Sequence, residues 1–296
     1  MHSWQVDYFL ISCYGLNEAC SGLQHGFCCG HDGGLGLKFR FGEQFIRVNV
    51  ETRESLREQV LQRLHARQGF ALATINLDHL VKMSSCGKFL KAYQQQDMVV
   101  ADGRPIVWLS KLAGRPVSLM PGSDMVDPLC HWAAEARAPV ALVGSSTAAL
   151  EDATAALQAK VPGLDVAWSY APGKLDPEGE EAAWILQTLQ EKGIGLCFLA
   201  LGAPKQERMA ERGRQLAPSV GFASVGAGLD FLGGHQRRAP KWVRDLALEW
   251  LWRALSSPLR LGPRYLKCLA ILPRQIVDAV RLRFQQPHLY SKISRR

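Results

Sequence analysis

The hydrophobic pattern along the chain changes period repeatedly, and the changes mark out elements. Phe45-Ile46-Arg47-Val48-Asn49-Val50 alternates apolar and polar positions as a strand does. Thr52 to Arg67 follows with helical spacing, behind a Thr cap and with Glu54 in its first turn. Strand-like runs recur at Phe70–Thr74, Met98–Ala101, Val140–Val143, Val166–Trp168, Leu196–Leu201 and Val220–Val225. Helical stretches separate most of them, notably Ala148–Lys160, Glu178–Lys192 and Lys205–Leu216. Alternation of this kind predicts an α/β fold: a mostly parallel sheet with helices on both faces, Rossmann-like in arrangement. Residues 1–43 are rich in Gly and Cys and show no sustained period, so they are set apart as an N-terminal extension of unknown role. The core is expected over 44–236.

The tail, 237–296, reads differently. Its helical stretches, Trp242–Leu255 and Leu266–Phe284, are interrupted by Pro258, Pro263 and Pro273, which predicts short, kinked helices. Arg260, Arg264, Lys267, Arg274, Asp278 and Arg281 form a polar, mainly basic stripe at helical spacing. Leu266, Leu269, Leu272, Ile276, Val280 and Phe284 lie opposite, with Trp250 and Trp252 upstream. A basic face backed by an apolar one suits a helix lying in a membrane interface; the plainer alternative is a helix packed on the main domain.

Charge sharpens this picture. The formal balance is +8, yet Arg237 onward carries 14 Lys/Arg against 3 Asp/Glu, leaving 21 against 24 for the rest. All the positive excess therefore sits in the tail, a basic amphipathic helical appendage whose expected partner is an anionic membrane surface rather than nucleic acid. No stretch reaches the roughly 20 apolar residues of a membrane span, and Met1 to Leu16 lacks the basic start of a signal peptide. The expected location is cytoplasmic, peripheral on the inner face of the membrane. Eight cysteines lack metal-ligand spacing and are expected as reduced thiols.

Candidate chemistry gathers at the predicted strand ends. Thr74-Ile75-Asn76 closes one strand, and Asp102-Gly103 closes the next; a carboxylate before a Gly turn is placed to meet a substrate hydroxyl as general base. Such an Asp-Gly also serves as a simple turn. Gly144-Ser145-Ser146-Thr147 leads into a helix N-terminus, where backbone N–H groups favour phosphate. Gly202-Ala203-Pro204-Lys205-Gln206-Glu207 sets a cation, an amide and a carboxylate at the start of another helix. Asp230, after Gly226-x-Gly228, is placed to accept from a base or ribose, and Arg237 and Arg238 to clamp phosphates. There is no D-x-D triplet and no His- or Cys-rich metal spacing, so neither cofactor nor metal is expected.

Taken together these segments resemble the WecG/TagA/CpsF family of glycosyltransferases. The resemblance rests on Thr74-x-Asn76, Ala101-Asp102-Gly103 with Val107-Trp108, Pro121-Gly122-Ser123-Asp124 and Leu201 to Glu207. It continues in Gly226-x-Gly228-x-Asp230-Phe231, Arg238-Ala239-Pro240-x-Trp242 and Glu249 to Arg253 with Pro258-x-Arg260 and Arg264-Tyr265. It implies inverting transfer from a UDP-sugar to an undecaprenyl-diphosphate-linked acceptor sugar in surface-polysaccharide or cell-wall polymer synthesis. Carried over by motif, it implies Asp102 as base, Thr74 as a positioning neighbour, and Asn76, Gln206 and Asp230 around the nucleotide sugar. It further implies that Arg253, Arg260 and Arg264 reach the active site from the appendage. Many members carry Glu-Arg-Val where this chain has Ser118-Leu119-Met120.

Two other readings stay open on the residues alone. One is a nucleotide-binding oxidoreductase, although Gly144 has no partner glycines for a dinucleotide turn. The other is a catalytically silent, membrane-peripheral member of the same family. Homo-oligomerisation stays open as well.

Overall fold

The computed structural model describes residues 36–232, 234, 252 and 258–285. Cys13, Cys20, Cys28 and Cys29, the predicted helix Trp242–Leu255 apart from Trp252, and Arg237, Arg238 and Arg253 lie outside the described residues, as does the side chain of Arg260.

A hairpin opens the described chain: β1 (Leu37–Phe41) and β2 (Gln44–Val48) pair antiparallel, with Leu37 opposite Val48 and Phe41 opposite Gln44. Its alternation buries Leu37, Phe39, Ile46 and Val48 against Ala73, Ile75, Val99 and Ala101 of the main sheet. β1 corrects the expectation of no element before residue 44. Leu37-Lys38-Phe39-Arg40-Phe41 alternates as plainly as the next strand, and the expected core boundary falls in the turn between them.

Eight helices and six strands then follow: α1 (Arg53–His65), β3 (Phe70–Ile75), α2 (Leu77–Ser85), α3 (Gly87–Gln94), β4 (Met98–Ala101), α4 (Arg104–Leu112), α5 (Gly122–Glu135), β5 (Val140–Gly144), α6 (Thr147–Lys160), β6 (Val166–Tyr170), α7 (Glu180–Glu191), β7 (Leu196–Ala200), α8 (Lys205–Leu216) and β8 (Gly221–Ser224). The helix α9 (Gly228–Leu232) and the long α10 (Pro258–Phe284) complete the described elements. Thr52 caps α1 as expected, its side chain accepting from Ser55 N at 3.1 Å.

The six strands form one parallel sheet in the order β4-β3-β8-β7-β5-β6. Both faces are covered, so β3, β5 and β8 are buried at every position, while edge strand β6 alternates half-buried and exposed residues. Leu72, Leu142, Phe198 and Ala223 point to α1, α5 and α6; Ala141, Cys197, Leu199 and Phe222 point to α7 and α8. The predicted α/β sheet with helices on both faces is what the chain builds. Cys86, Cys130, Cys197 and Cys268 are free thiols.

The tail helix departs from expectation. α10 runs unbroken for 27 residues through Pro263 and Pro273. Each proline removes one helical hydrogen bond, a cost of about 3 kcal/mol in a helix interior. Both prolines are exposed, so the carbonyl each one frees lies on the water side. Packing of Ile271, Leu272, Ala279 and Leu282 on the cluster shared by β1, α2 and α4 offsets the loss. The helix thus carries two apolar faces. Leu272 turns inward, whereas Leu266 (68% exposed), Leu269, Ile276 and Phe284 (80%) face outward with Leu259 and Val277. Among the described residues no helix is long and apolar enough to cross a membrane.

Candidate active site

The candidate site lies at the carboxyl ends of five adjacent strands. From β3 the chain first pairs β4 on one side and later places β8, β7, β5 and β6 on the other, the reversal at which open α/β sheets bind ligands. Thr74 comes from β3 and Asn76 directly follows it, Asp102 directly follows β4, Gly226 and Asp230 come from the segment after β8, Gly202 to Glu207 from that after β7, and Gly144 from β5.

Strand register brings the first group together. Ile75 pairs with Ala101 and Asp102 N donates to Ile75 O at 2.8 Å, so Asn76 and Asp102 leave the ladder side by side. Asn76 caps α2 through Oδ1, which accepts from His79 N at 3.1 Å. That use of the oxygen turns the amide Nδ2 to Asp102, donating to Oδ2 at 3.1 Å. Asp102 is half-buried, and Gly103 at φ 91 turns the chain at once into α4.

A buried pillar supports this corner. Tyr93 Oη donates to Thr74 O at 2.8 Å and lies 2.6 Å from His79 Nδ1. With the Tyr93 proton given to Thr74, the Nδ1–H of neutral His79 donates to Tyr93 Oη. Burial, reinforced by the Lys82 charge, holds His79 neutral by bringing its pKa down to about 3. Burial, then Glu207 and Asp102, push the Tyr93 hydroxyl well above its usual range. The Thr74 side chain is itself buried.

At the head of α8, Gly202 is exposed and Lys205 half-buried, but Gln206 and Glu207 turn inward. Gln206 Oε1 accepts from Gly226 N at 3.1 Å and its Nε2 donates to Glu207 Oε1 at 2.9 Å. Glu207 has no exposed surface, and its Oε2 meets no partner. Burial raises its carboxyl to about 7, against the lowering effect of the Gln206 bond. Both residues therefore shape the loops rather than line the opening.

Ser145 Oγ donates to Asp230 Oδ1, tying the β5 turn to the segment after β8. Gly144, at φ 119, is required by packing: a Cβ there would sit 2.4 Å from Ala200 O of the neighbouring strand. Ser146 caps α6 by accepting from Ala149 N at 3.3 Å. The Ser118-Leu119-Met120 segment runs beside β4, where Met120 N donates to Ala101 O at 2.8 Å and Leu119 is exposed. A leucine thus stands next to the strand that leads to Asp102.

The tail reaches the site through a chain that no sequence motif announces. Arg264 Nε meets Asp78 Oδ1 at 2.8 Å, Asp78 Oδ2 meets Lys82 Nζ at 2.9 Å, and Lys82 Nζ donates to Ala203 O at 3.1 Å. No motif in the sequence singles out Asp78, Lys82, His79 or Tyr93. The Asp78 and Lys82 spacing was visible, but reads as a routine helical ion pair. Among the described residues no three His, Cys, Asp or Glu side chains gather as metal ligands.

The fold is that of a Rossmann-like α/β protein, and its candidate site sets the half-buried carboxylate of Asp102 beside an oriented amide. The chain belongs to the WecG/TagA/CpsF family of glycosyl transferases, whose profile matches residues 44–287.

Proposed function

We propose that the protein is an inverting hexosyltransferase that moves a sugar from a UDP-sugar to an undecaprenyl-diphosphate-linked acceptor during surface-polysaccharide or cell-wall polymer synthesis. The observation that carries this reading is the Asn76–Asp102 pair, a carboxylate aimed by an amide at the ligand end of the sheet. Asp102 takes the proton of the acceptor hydroxyl as that oxygen attacks the anomeric carbon. The bond from that carbon to the UDP oxygen breaks on the opposite face, and UDP leaves with the electron pair. Lys205, exposed backbone at Gly202, and Arg253 and Arg260 of the tail are the proposed partners of the leaving diphosphate.

Attachment is proposed to be peripheral, on the inner face of the cytoplasmic membrane. The outward apolar stripe of α10, flanked by exposed Lys267, Arg274 and Arg281, supports it. The reaction is proposed to need no divalent cation, because the sequence offers no D-x-D triplet. UDP release from a donor panel, with a short-chain lipid-diphosphate sugar as acceptor and with EDTA in a parallel series, tests first the transfer itself and second its independence of metal. Chelation that stops turnover, restored by Mg²⁺ or Mn²⁺, contradicts the second.

A second reading, a silent peripheral member, is favoured by Leu119 standing where many members carry arginine. UDP binding without turnover on any lipid-diphosphate sugar, with turnover gained in Leu119→Arg, would select it.

A further inference from the structure

Lys82 sits where three parts of the molecule meet. It belongs to α2, yet its amine leaves the helix to donate to the Ala203 carbonyl at 3.1 Å, in the turn between β7 and α8. That turn is otherwise closed by Lys205 N and Gln206 N, which donate to Gly202 O at 2.9 and 3.2 Å. Pro204 supplies no N–H, and the Pro204 cap of α8 makes no side-chain bond. On its other side the amine meets Asp78, a largely buried carboxylate whose second oxygen holds Arg264 of α10. Exposed ion pairs contribute little. This one differs: the central carboxylate is only 10% exposed, so losing either cation leaves a charge that water compensates poorly.

We infer that Lys82 is a positioning residue for the donor-side turn Gly202–Gln206, and that Arg264 acts on the reaction through Asp78 and Lys82 rather than by touching the leaving diphosphate. The inference rests on the proposed UDP-sugar reading in one respect, the assignment of that turn to the donor. The physical chain is Arg264 to Asp78, Asp78 to Lys82, and Lys82 to the Ala203 carbonyl. Gln206 follows in the same turn and bonds Gly226 N, so a displaced turn also releases the segment leading to Asp230. An arginine bound directly to the leaving diphosphate would weaken UDP without loosening the turn, and its loss would add to that of Lys82. An arginine acting through Lys82 weakens UDP and loosens the turn together, and adds nothing once Lys82 is gone.

The test uses the full-length protein with Lys82→Met, Lys82→Arg, Arg264→Met and the Lys82→Met/Arg264→Met double variant. UDP affinity is measured by calorimetry, donor and acceptor KM by UDP release, and amide hydrogen exchange over residues 202–207 without ligand. Lys82→Met is expected to weaken UDP about 10-fold, as loss of one hydrogen bond to a charged donor implies. It should also speed exchange in the turn, while Lys82→Arg restores both. Arg264→Met should move the same two readouts in the same direction, with acceptor KM unchanged. The double variant should be no worse than Lys82→Met alone. Unchanged exchange in Lys82→Met overturns the inference, as does an Arg264→Met variant that weakens UDP without speeding exchange in the turn, acts only on acceptor KM, or multiplies the loss in the double variant. If the wild type does not bind UDP, the donor reading falls; the exchange data still decide whether Arg264 and Lys82 hold the turn.

Discussion

Asn76 and Asp102 meet at 3.1 Å across the ends of two paired strands, and the same Asn76 side chain caps the helix that follows. One amide thus performs two tasks through its two ends, and substitution can separate them. Asn76→Ser keeps an oxygen for the cap but has no NH₂ for Asp102. It should melt within a few degrees of the wild type while losing about 10-fold in turnover. Asn76→Ala should lose similar turnover and also about 1 kcal/mol of stability with the cap. Thermal melts beside UDP-release rates check this; full activity in the Ser variant would mean that the amide does not orient Asp102.

Glu207 makes a pH-dependent contribution that can be isolated. Its folded pKa is raised by burial to about 7 from 4.5. The folded state therefore keeps this proton where the unfolded chain gives it up. Stability from this group is complete below the unfolded value and falls as pH rises through about 7, by on the order of 3 kcal/mol. Glu207→Gln should be nearly as stable as wild type at low pH and pull ahead between about 4.5 and 7. His79, lowered to about 3, acts in the opposite sense over its own window and is common to both proteins. Urea melts across pH check the difference; parallel curves would show that the carboxyl titrates normally.

The outward face of α10 predicts two separable kinds of membrane binding. Reversing Arg274, Arg281 and Arg283 to Glu should release the protein from anionic vesicles in a salt-dependent way, each basic residue contributing about 1 kcal/mol near the surface. Replacing exposed Leu266 and Phe284 by Ser should weaken binding that persists at high salt. Neither set touches the strand ends, so turnover of a soluble acceptor should be spared. Vesicle co-sedimentation over a salt series checks both; binding unaffected by either set would make this face a solvated surface.

Much of the sheet was legible because buried parallel strands read as apolar runs closed by Gly or a polar pair, as at Val140–Gly144. β1 was hidden by the Gly-rich segment before it, although Leu37 to Phe41 alternates. α10 defied its prolines because packing against α2 and α4 is invisible in one dimension. At the site, the strand-end positions of Asn76 and Asp102 were legible, but not their hydrogen bond, which needs β3 and β4 to be neighbours in register. The inward turn of Gln206 was missed, although Gln206, Met209, Ala210 and Gly213 fall on one helical face, which the structure buries. Its position in a polar run concealed that phase. The chain from Arg264 to Ala203 could not be read, because it needs three elements brought together only by tertiary packing.

The central claim is that Asp102 removes the acceptor proton, and Asp102→Asn tests it most directly. The amide has the carboxylate's size, so fold and UDP affinity should be kept. Turnover, followed by UDP release with saturating donor and acceptor, should fall at least ~100-fold, the usual worth of a general base. A folded Asp102→Asn protein that binds UDP and turns over at close to the wild-type rate would contradict the account.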